Sequence, residues 1–158
     1  MIFITLGTQK FQFNRILKKI DELVSESKIN EQVFAQIGYS DYTPKHYDYK
    51  KFIDRDEFQQ QMKKSNIVIT HGGTGTIITA VKNEKKVIAV PRLKEYGEHV
   101  DNHQLQILEE FENIGIIKAA YNMDELEKTL ANKNQLITKK YKSNTQNIIK
   151  DIENYLNM

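Results

Sequence analysis

The stretch Ile67-Val68-Ile69-Thr70-His71-Gly72-Gly73-Thr74-Gly75-Thr76 decides how this 158-residue chain is organised. An apolar, β-branched run ends in a histidine, three glycines follow within four residues, and a new apolar pattern starts at Ile77. The pattern predicts a buried strand, a tight loop and the first turn of a helix. Such a junction presents free backbone N–H groups and the positive end of a helix dipole. It therefore suits an anion, most often a phosphate.

Neither of the two named phosphate-binding fingerprints is complete in this stretch. Gly73 and Gly75 form a G-x-G, but Ile78 stands where the dinucleotide motif requires glycine. No Gly-Lys-Ser/Thr sequence follows the loop either. Because glycine-rich turns between strand and helix also serve tight packing, the loop alone leaves both interpretations open.

Composition limits the class of protein. A length of 158 residues predicts a single domain spanning 1–158. Hydrophobic residues make up 39% of the chain, and no apolar run approaches about 18 residues, so we expect no membrane span. The opening residues lack a basic segment followed by an apolar one, so we expect no secretory signal. A formal net charge of +2 does not indicate nucleic-acid binding, and the absence of cysteine fits the cytoplasm.

Apolar strands and amphipathic helices alternate along the chain. The strands are apolar throughout rather than alternating, which predicts a parallel sheet covered by helices on both faces. The expected fold class is α/β, a doubly wound, mostly parallel, six-stranded Rossmann-like sheet. The predicted strands cover residues 2–6, 33–37, 51–53, 67–70, 87–90 and 115–118. The predicted helices cover about 12–27, 55–64, the glycine loop to 83, 101–112, Asn122 to 131, and 143–157.

The ends of the predicted strands locate a ligand site. In open α/β sheets the ligand crevice lies along the carboxyl ends of the strands, at the point where the strand order reverses. With strand order 3-2-1-4-5-6, the first and fourth strands are neighbours at that point. Gly7 and Thr8 would then face the loop from His71 to Gly75 across one site. This convergence favours the phosphate interpretation.

The stretch from Pro91 to Gln104 leaves the fifth strand at the same edge and is rich in polar side chains. The guanidinium of Arg92 is predicted to clamp a diphosphate through its fork of donors. Asn102, His103 and Gln104 fall in the first turn of the next helix, within reach of a sugar or nucleotide hydroxyl. The alternative is that Asp101 only caps that helix and the remaining residues form a solvated loop.

The histidines raise two further questions. His71, at the end of a buried strand, either bonds a neighbouring loop, orients the glycine loop or touches a sugar, and a positioning role is favoured over acid–base catalysis. His99 and His103 are four residues apart, but no His-Glu-x-x-His pattern and no acidic third ligand at metal-binding spacing accompanies them, so we expect no metal. No serine stands in a Gly-x-Ser-x-Gly elbow. The catalytic base stays unassigned, with His71 and His99 as its only candidates.

Three motifs together resemble one known family. They are Ile-Phe-Ile-Thr-Leu-Gly-Thr at 2–8, Thr-His-Gly-Gly-x-Gly at 70–75, and Pro-Arg-(x)5-Glu-His-x-Asp-Asn-His-Gln at 91–104. In this order and spacing they resemble the glycosyltransferase family 28 C-terminal domain, above all the small free-standing PssE-type subunits of capsule and exopolysaccharide glycosyltransferases. The chain is also similar to the small subunit of the split dolichol-pathway N-acetylglucosaminyltransferase. The resemblance covers residues 1 to about 155.

The resemblance implies a half-enzyme equivalent to the C-terminal half of a GT-B glycosyltransferase. Such a half binds the UDP-sugar, and a separate membrane-anchored subunit binds the lipid-linked acceptor. The chain would then lie at the cytoplasmic face of the membrane through that partner. The implied reaction inverts the anomeric centre and needs no cofactor or bound metal. The alternative is a non-catalytic partner that stabilises or activates a membrane-bound transferase.

The resemblance also assigns residues to the UDP-sugar. Arg92 and His99 match the pattern of the capsule subfamily. One position departs from the family, because Thr79 stands where relatives place a glutamate that grips the ribose. A hydroxyl cannot offer the two acceptor oxygens of a carboxylate, so the ribose contact is expected to be weak. His71 is expected in the site from its position at the end of the fourth strand. With it, the residues expected to bind the donor are Gly7, Thr8, His71, Gly72, Gly73, Thr74, Gly75, Thr76, Arg92, Asn102, His103 and Gln104.

Overall fold

The computed structural model describes residues 1–136 and residue 139, so the helix predicted at 143–157 lies outside the described residues. The described strands form one sheet with the order β3-β2-β1-β4-β5-β6, and every neighbouring pair is parallel. This confirms the predicted doubly wound α/β class and its strand order. The strands are β1 (Ile2–Thr5), β2 (Val33–Gln36), β3 (Asp48–Lys50), β4 (Ile67–His71), β5 (Lys86–Val90) and β6 (Lys118–Ala119).

Helices cover both faces of the sheet. Successive residues of a strand point to opposite faces, so neighbouring residues of β1 pack against different helices. Ile2 and Ile4 of β1 pack in a cluster with residues of α1 and α5, whereas Phe3 packs in a second cluster with residues of α2, α3 and α4. The helices are α1 (Asn14–Ser25), α2 (Arg55–Lys64), α3 (Thr74–Lys82), α4 (His103–Asn113) and α5 (Met123–Ala131). No helix among the described residues is long and apolar enough to cross a membrane.

The third strand lies three residues before its predicted position. The prediction followed the apolar pair Phe52-Ile53, but the ladder forms at Asp48–Lys50, where all three residues are exposed. An edge strand has a solvated face and needs no apolar run, so composition does not mark it. β6 is shorter than predicted and lies later in the chain, since the ladder covers Lys118–Ala119, whereas Ile116 and Ile117 are buried in the core before it.

Candidate functional site

The site lies where β1 and β4 are neighbours and the chain leaves both strands at the same edge. Thr5 is the register partner of Thr70, and the Thr70 hydroxyl donates to the Thr5 carbonyl across the two strands at 2.9 Å. The loop after β1 therefore starts beside the loop that joins β4 to α3. The two segments predicted to face each other, one containing Gly7 and the other His71, do so.

The N-terminus of α3 is open. The first N–H groups of any helix lack partners within the helix, and α2 and α5 satisfy some of theirs with the side chains of Asp54 and Asn122. No side chain in the described part of the chain caps α3, and its first turn contains no acidic residue. Outside its chain neighbours and the backbone of its own helix, a β-carbon built on Gly75 would meet no described atom within 4 Å. These N–H groups can therefore receive an anion without displacing a side chain.

The imidazole of His71 lies between the two glycine loops. A β-carbon on Gly7 would stand 2.6 Å from His71 Cε1, and one on Gly73 would stand 2.8 Å from the same atom. Gly7 also has a φ of +75°, a conformation that other residues adopt only with strain. Glycine is therefore required at both positions by the ring that separates them.

The imidazole ring of His71 is uncharged at neutral pH. Burial lowers its pKa to about 4, and the nearby positive charge of Arg92 acts in the same direction. The ring is neutral at pH 7, and only 9% of the residue is exposed. An enclosed, neutral imidazole between two loops fits the positioning role favoured by the sequence.

Gln104 joins the loop after β4 to the loop after β5. Its side chain is buried, and Oε1 accepts hydrogen bonds from the N–H of Gly72 at 3.0 Å and the N–H of Arg92 at 2.9 Å. The sequence predicted Gln104 near a donor sugar. In the structure its carbonyl is committed to two backbone groups that shape the site.

Arg92 is buried as well, with 1% of the residue exposed. Its Nη2 donates to the Leu6 carbonyl at 2.6 Å, and its Nη1 donates to the carbonyls of Phe11 at 3.2 Å and Gln12 at 3.0 Å. Nε is buried without a hydrogen-bond partner among the described residues. The guanidinium therefore holds the loop after β1. To be bound by Arg92, as the sequence predicted, a diphosphate would have to replace these carbonyls as the acceptor of its N–H groups.

Glu98 is a framework residue to which the sequence analysis gave no role. It is 1% exposed, and its carboxylate accepts from Arg15 Nε at 2.8 Å and from the N–H of Leu93 at 3.0 Å. A buried ion pair is stable only when both partners are hydrogen-bonded, as they are here. Its place in the Pro91–Gln104 motif was the one available signal, because an isolated glutamate in a polar loop looks like a solvated residue.

A second polar group lies at the start of α4. The ring of His99 stacks on Phe11, with the ring centroids 5.4 Å apart. Nδ1 of His99 lies 3.3 Å from Oδ1 of Asp101, and Nδ1 of His103 contacts the same carboxylate oxygen. Asp101 also accepts from the N–H of His103 at 3.1 Å, so it satisfies one N–H of the first turn of α4, although the N-cap position is that of Asn102. Asp101 is in addition an acidic neighbour of both histidines, which the sequence pattern did not predict.

Thr79, the position that departs from the family, lies one turn into α3. Its hydroxyl donates to the carbonyl of Gly75 at 2.8 Å. The hydroxyl proton is therefore already used within the helix.

The structure divides the predicted donor-binding residues into two sets. One set is buried and shapes the loops, whereas the other is exposed or half-buried at the edge of the sheet. The buried residues are His71, Gly72, Arg92 and Gln104. The exposed or half-buried residues are Gly7, Thr8, Gly73, Thr74, Gly75, Thr76, Asn102 and His103.

Comparison with known proteins assigns the chain to a fold type and to a family. A parallel doubly wound sheet with an open, glycine-lined helix N-terminus at its switch point defines a Rossmann-like domain. Residues 1–156 match the family model described as the glycosyltransferase family 28 C-terminal domain, and the chain belongs to this family. This confirms the family resemblance drawn from the three motifs.

One curated relative is similar to part of the chain. The UDP-N-acetylglucosamine transferase subunit ALG13 of Candida glabrata is 43% identical over 54 residues, which are 34% of this chain and 25% of that protein. The match therefore spans a quarter of the relative's length.

Two solved structures share the fold. The glycotransferase of kitacinnamycin matches with a TM-score of 0.61 and 16% identity, over 85% of this chain and 34% of that one. MurG of Acinetobacter baumannii matches with a TM-score of 0.57 and 17% identity, over 85% of this chain and 41% of that one. At these identities the likeness concerns the fold alone.

Proposed function

We propose that this chain is the donor-binding subunit of a two-component inverting glycosyltransferase. It moves a hexose from a UDP-sugar to a lipid-linked acceptor in capsule or exopolysaccharide synthesis. The observation that carries the proposal is the open N-terminus of α3, which lies beside the loop after β1 and is lined by Gly73 and Gly75. Family membership supports it, and so does the relative named as a transferase subunit.

In the proposed reaction the protein stabilises the negative charge that develops on the leaving diphosphate. The acceptor hydroxyl attacks the anomeric carbon, the bond from that carbon to the diphosphate oxygen breaks, and UDP leaves with the electron pair. Backbone N–H groups of Thr74, Gly75 and Thr76, together with the helix dipole, stabilise the diphosphate as its charge grows. The proposed transfer therefore needs no metal.

The proton of the acceptor hydroxyl requires a base. His71 is a poor base, because its pKa is about 4 and its ring is enclosed between Gly7 and Gly73. The proposal therefore assigns the base and the acceptor site to a membrane-anchored partner subunit, which would hold this chain at the inner face of the membrane.

One observation favours a second function. A non-catalytic subunit that stabilises or activates its partner would have no need of a ribose grip. Thr79 replaces the family's glutamate, and its hydroxyl donates to Gly75 within the helix. The two functions differ in whether the open N-terminus of α3 is used.

A reconstituted transfer assay separates them. The chain is co-purified with its membrane partner, and transfer from a radiolabelled UDP-hexose to a lipid-linked acceptor is measured for wild type and Gly75→Val. A β-carbon at Gly75 fits the fold, but an isopropyl group there stands in the opening. Asp56→Val is the matched control, since Asp56 is the exposed second residue of α2.

The expected result is loss of at least 90% of transfer in Gly75→Val, with complex formation intact and Asp56→Val active. Full transfer by Gly75→Val in an intact complex would establish the non-catalytic alternative and refute donor binding by this chain. Full transfer by the isolated chain would refute the two-component proposal.

A further inference from the structure

We propose that His99, Asp101 and His103 form a binding site for one divalent transition-metal ion of the zinc class. Their possible ligand atoms, two imidazole nitrogens and one carboxylate oxygen, all lie within 4.8 Å of one another. Two histidines and a carboxylate are a common protein ligand set for zinc and for ferrous iron. His103 is also among the predicted donor-binding residues, so the test below measures metal binding directly and does not rely on transfer activity.

The three groups lie around one carboxylate oxygen. Nδ1 of His99 is 3.3 Å from Oδ1 of Asp101, and Nδ1 of His103 contacts the same oxygen. Neutral imidazole nitrogens and carboxylate oxygens are both zinc ligands. An ion bound here would replace these contacts, and the 3.4 Å contact from the N–H of Asp101 to Nδ1 of His99, with bonds to the metal.

The three side chains are held in place before any ion arrives. The His99 side chain is 8% exposed, and its ring rests on Phe11. The carboxylate of Asp101 is fixed by the backbone N–H of His103, which is the first residue of α4. A supporting contact of this kind orients a ligand and reduces the ordering that binding requires.

A second described pair of histidine and carboxylate lacks these properties. His46 lies 3.2 Å from Asp21, but the Asp21 carboxylate already accepts from the Tyr42 hydroxyl and from the N–H groups of Lys45 and His46. Only one imidazole is present there, so the pair offers one ligand nitrogen fewer than the cluster at the start of α4. His46 therefore provides a matched control on the same protein.

With three protein ligands, the ion would keep at least one position for water or another oxygen. The ion would also tie the loop before α4 to the first residue of that helix. Because binding to the folded state alone raises stability, the melting temperature is expected to increase with zinc concentration.

The test uses the full chain without a histidine tag, stripped of metal with a chelator and titrated with Zn²⁺ in a calorimeter. The variants are His103→Ala and Asp101→Asn, both at exposed positions, with His46→Ala as the control. We expect one Zn²⁺ per chain, affinity at least tenfold weaker in the two site variants, and affinity within twofold of wild type in the control. Circular dichroism establishes that each variant is folded.

Cobalt provides an independent measurement, because Co²⁺ held by histidine and carboxylate ligands absorbs in the visible range with an intensity that reports coordination number. The expected spectrum appears at one equivalent and is lost in His103→Ala. Absence of stoichiometric Zn²⁺ binding would overturn the proposal, and so would equal affinity in the site variants and wild type. A loss confined to His46→Ala would place the ion elsewhere and overturn it too.

Discussion

The imidazole ring of His71 occupies the space in which a β-carbon on Gly73 would lie. The residue that ends β4 thus sets the path of the loop that opens α3, and the glycine is required before any ligand is considered. The same ring limits Gly7 on the neighbouring loop. The spacing between the two loops of the candidate donor site is therefore set by one neutral, buried side chain.

This burial predicts a pH dependence of stability. The pKa of His71 is about 4 in the folded chain and about 6.5 when unfolded, so between these values the unfolded state binds more protons. The free energy of unfolding is therefore highest above pH 6.5. It decreases as the pH falls toward 4, because the unfolded chain gains a proton that the buried His71 ring does not. Urea unfolding should show a decrease of about 2 kcal/mol between pH 7.5 and pH 5.

The control for this dependence is His71→Asn, which cannot be protonated in this range. Its stability curve between pH 7.5 and pH 5 should be flatter by the same amount. The carboxyls of Asp21 and Glu31 have lowered pKa values, so their effect begins near the ordinary values of 3.8 and 4.5 and extends downward, and it contributes little between pH 7.5 and pH 5. An unchanged slope in His71→Asn would contradict the assignment of the effect to His71.

Gln104 is predicted to act through the backbone that it holds. Gln104→Leu leaves the buried N–H groups of Gly72 and Arg92 without their acceptor. Each unsatisfied group costs about 1–3 kcal/mol, so the free energy of unfolding should fall by about 2–6 kcal/mol and UDP binding should weaken with it. Gln106→Leu, at an exposed position of the same helix, should leave both unchanged. A stable Gln104→Leu that lost only sugar discrimination would instead support direct contact with the donor.

A substitution of Arg92 distinguishes two roles of its side chain, which are to hold the loop after β1 or to bind the diphosphate directly. Arg92→Met keeps an unbranched apolar stem but removes the donors to Leu6, Phe11 and Gln12. The framework role predicts a loss of stability of about 2–4 kcal/mol, measured by urea unfolding. If the variant kept wild-type stability and lost only UDP affinity, the clamp predicted from the sequence would be correct.

Thr79→Glu should strengthen nucleotide binding. A carboxylate at this position offers two acceptor oxygens to the ribose hydroxyls, and a hydrogen bond to a charged group contributes about 1.5–3 kcal/mol. We expect UDP affinity to rise about tenfold in calorimetric titration. Thr129→Glu on α5 adds the same charge away from the site and should leave the affinity unchanged. Equal affinities in wild type and Thr79→Glu would show that the ribose lies elsewhere.

The fold was predictable from sequence because its signals are local. Apolar runs such as Ile67–Thr70 mark buried strands, and the glycines that follow mark the edge where ligands bind. The roles of Arg92 and Gln104 could not be predicted in this way. A polar residue looks the same in the sequence whether its side chain faces a ligand or a backbone group. Only the three-dimensional path of the loop after β1 shows that Arg92 turns toward Leu6. β3 was misplaced for the complementary reason, because an exposed edge strand has no apolar pattern to detect.

The central claim is that the N-terminus of α3 binds the diphosphate of the donor. Its most direct test is a titration of the ¹⁵N-labelled chain with UDP, followed by amide chemical shifts and compared with a titration with uridine. This measurement detects weak binding, which the loss of the ribose glutamate at Thr79 makes the expected case. The account predicts that Thr74, Gly75 and Thr76 show the largest shifts with UDP and much smaller shifts with uridine. Equal shifts with both ligands, or UDP shifts confined to residues away from α3, would contradict it.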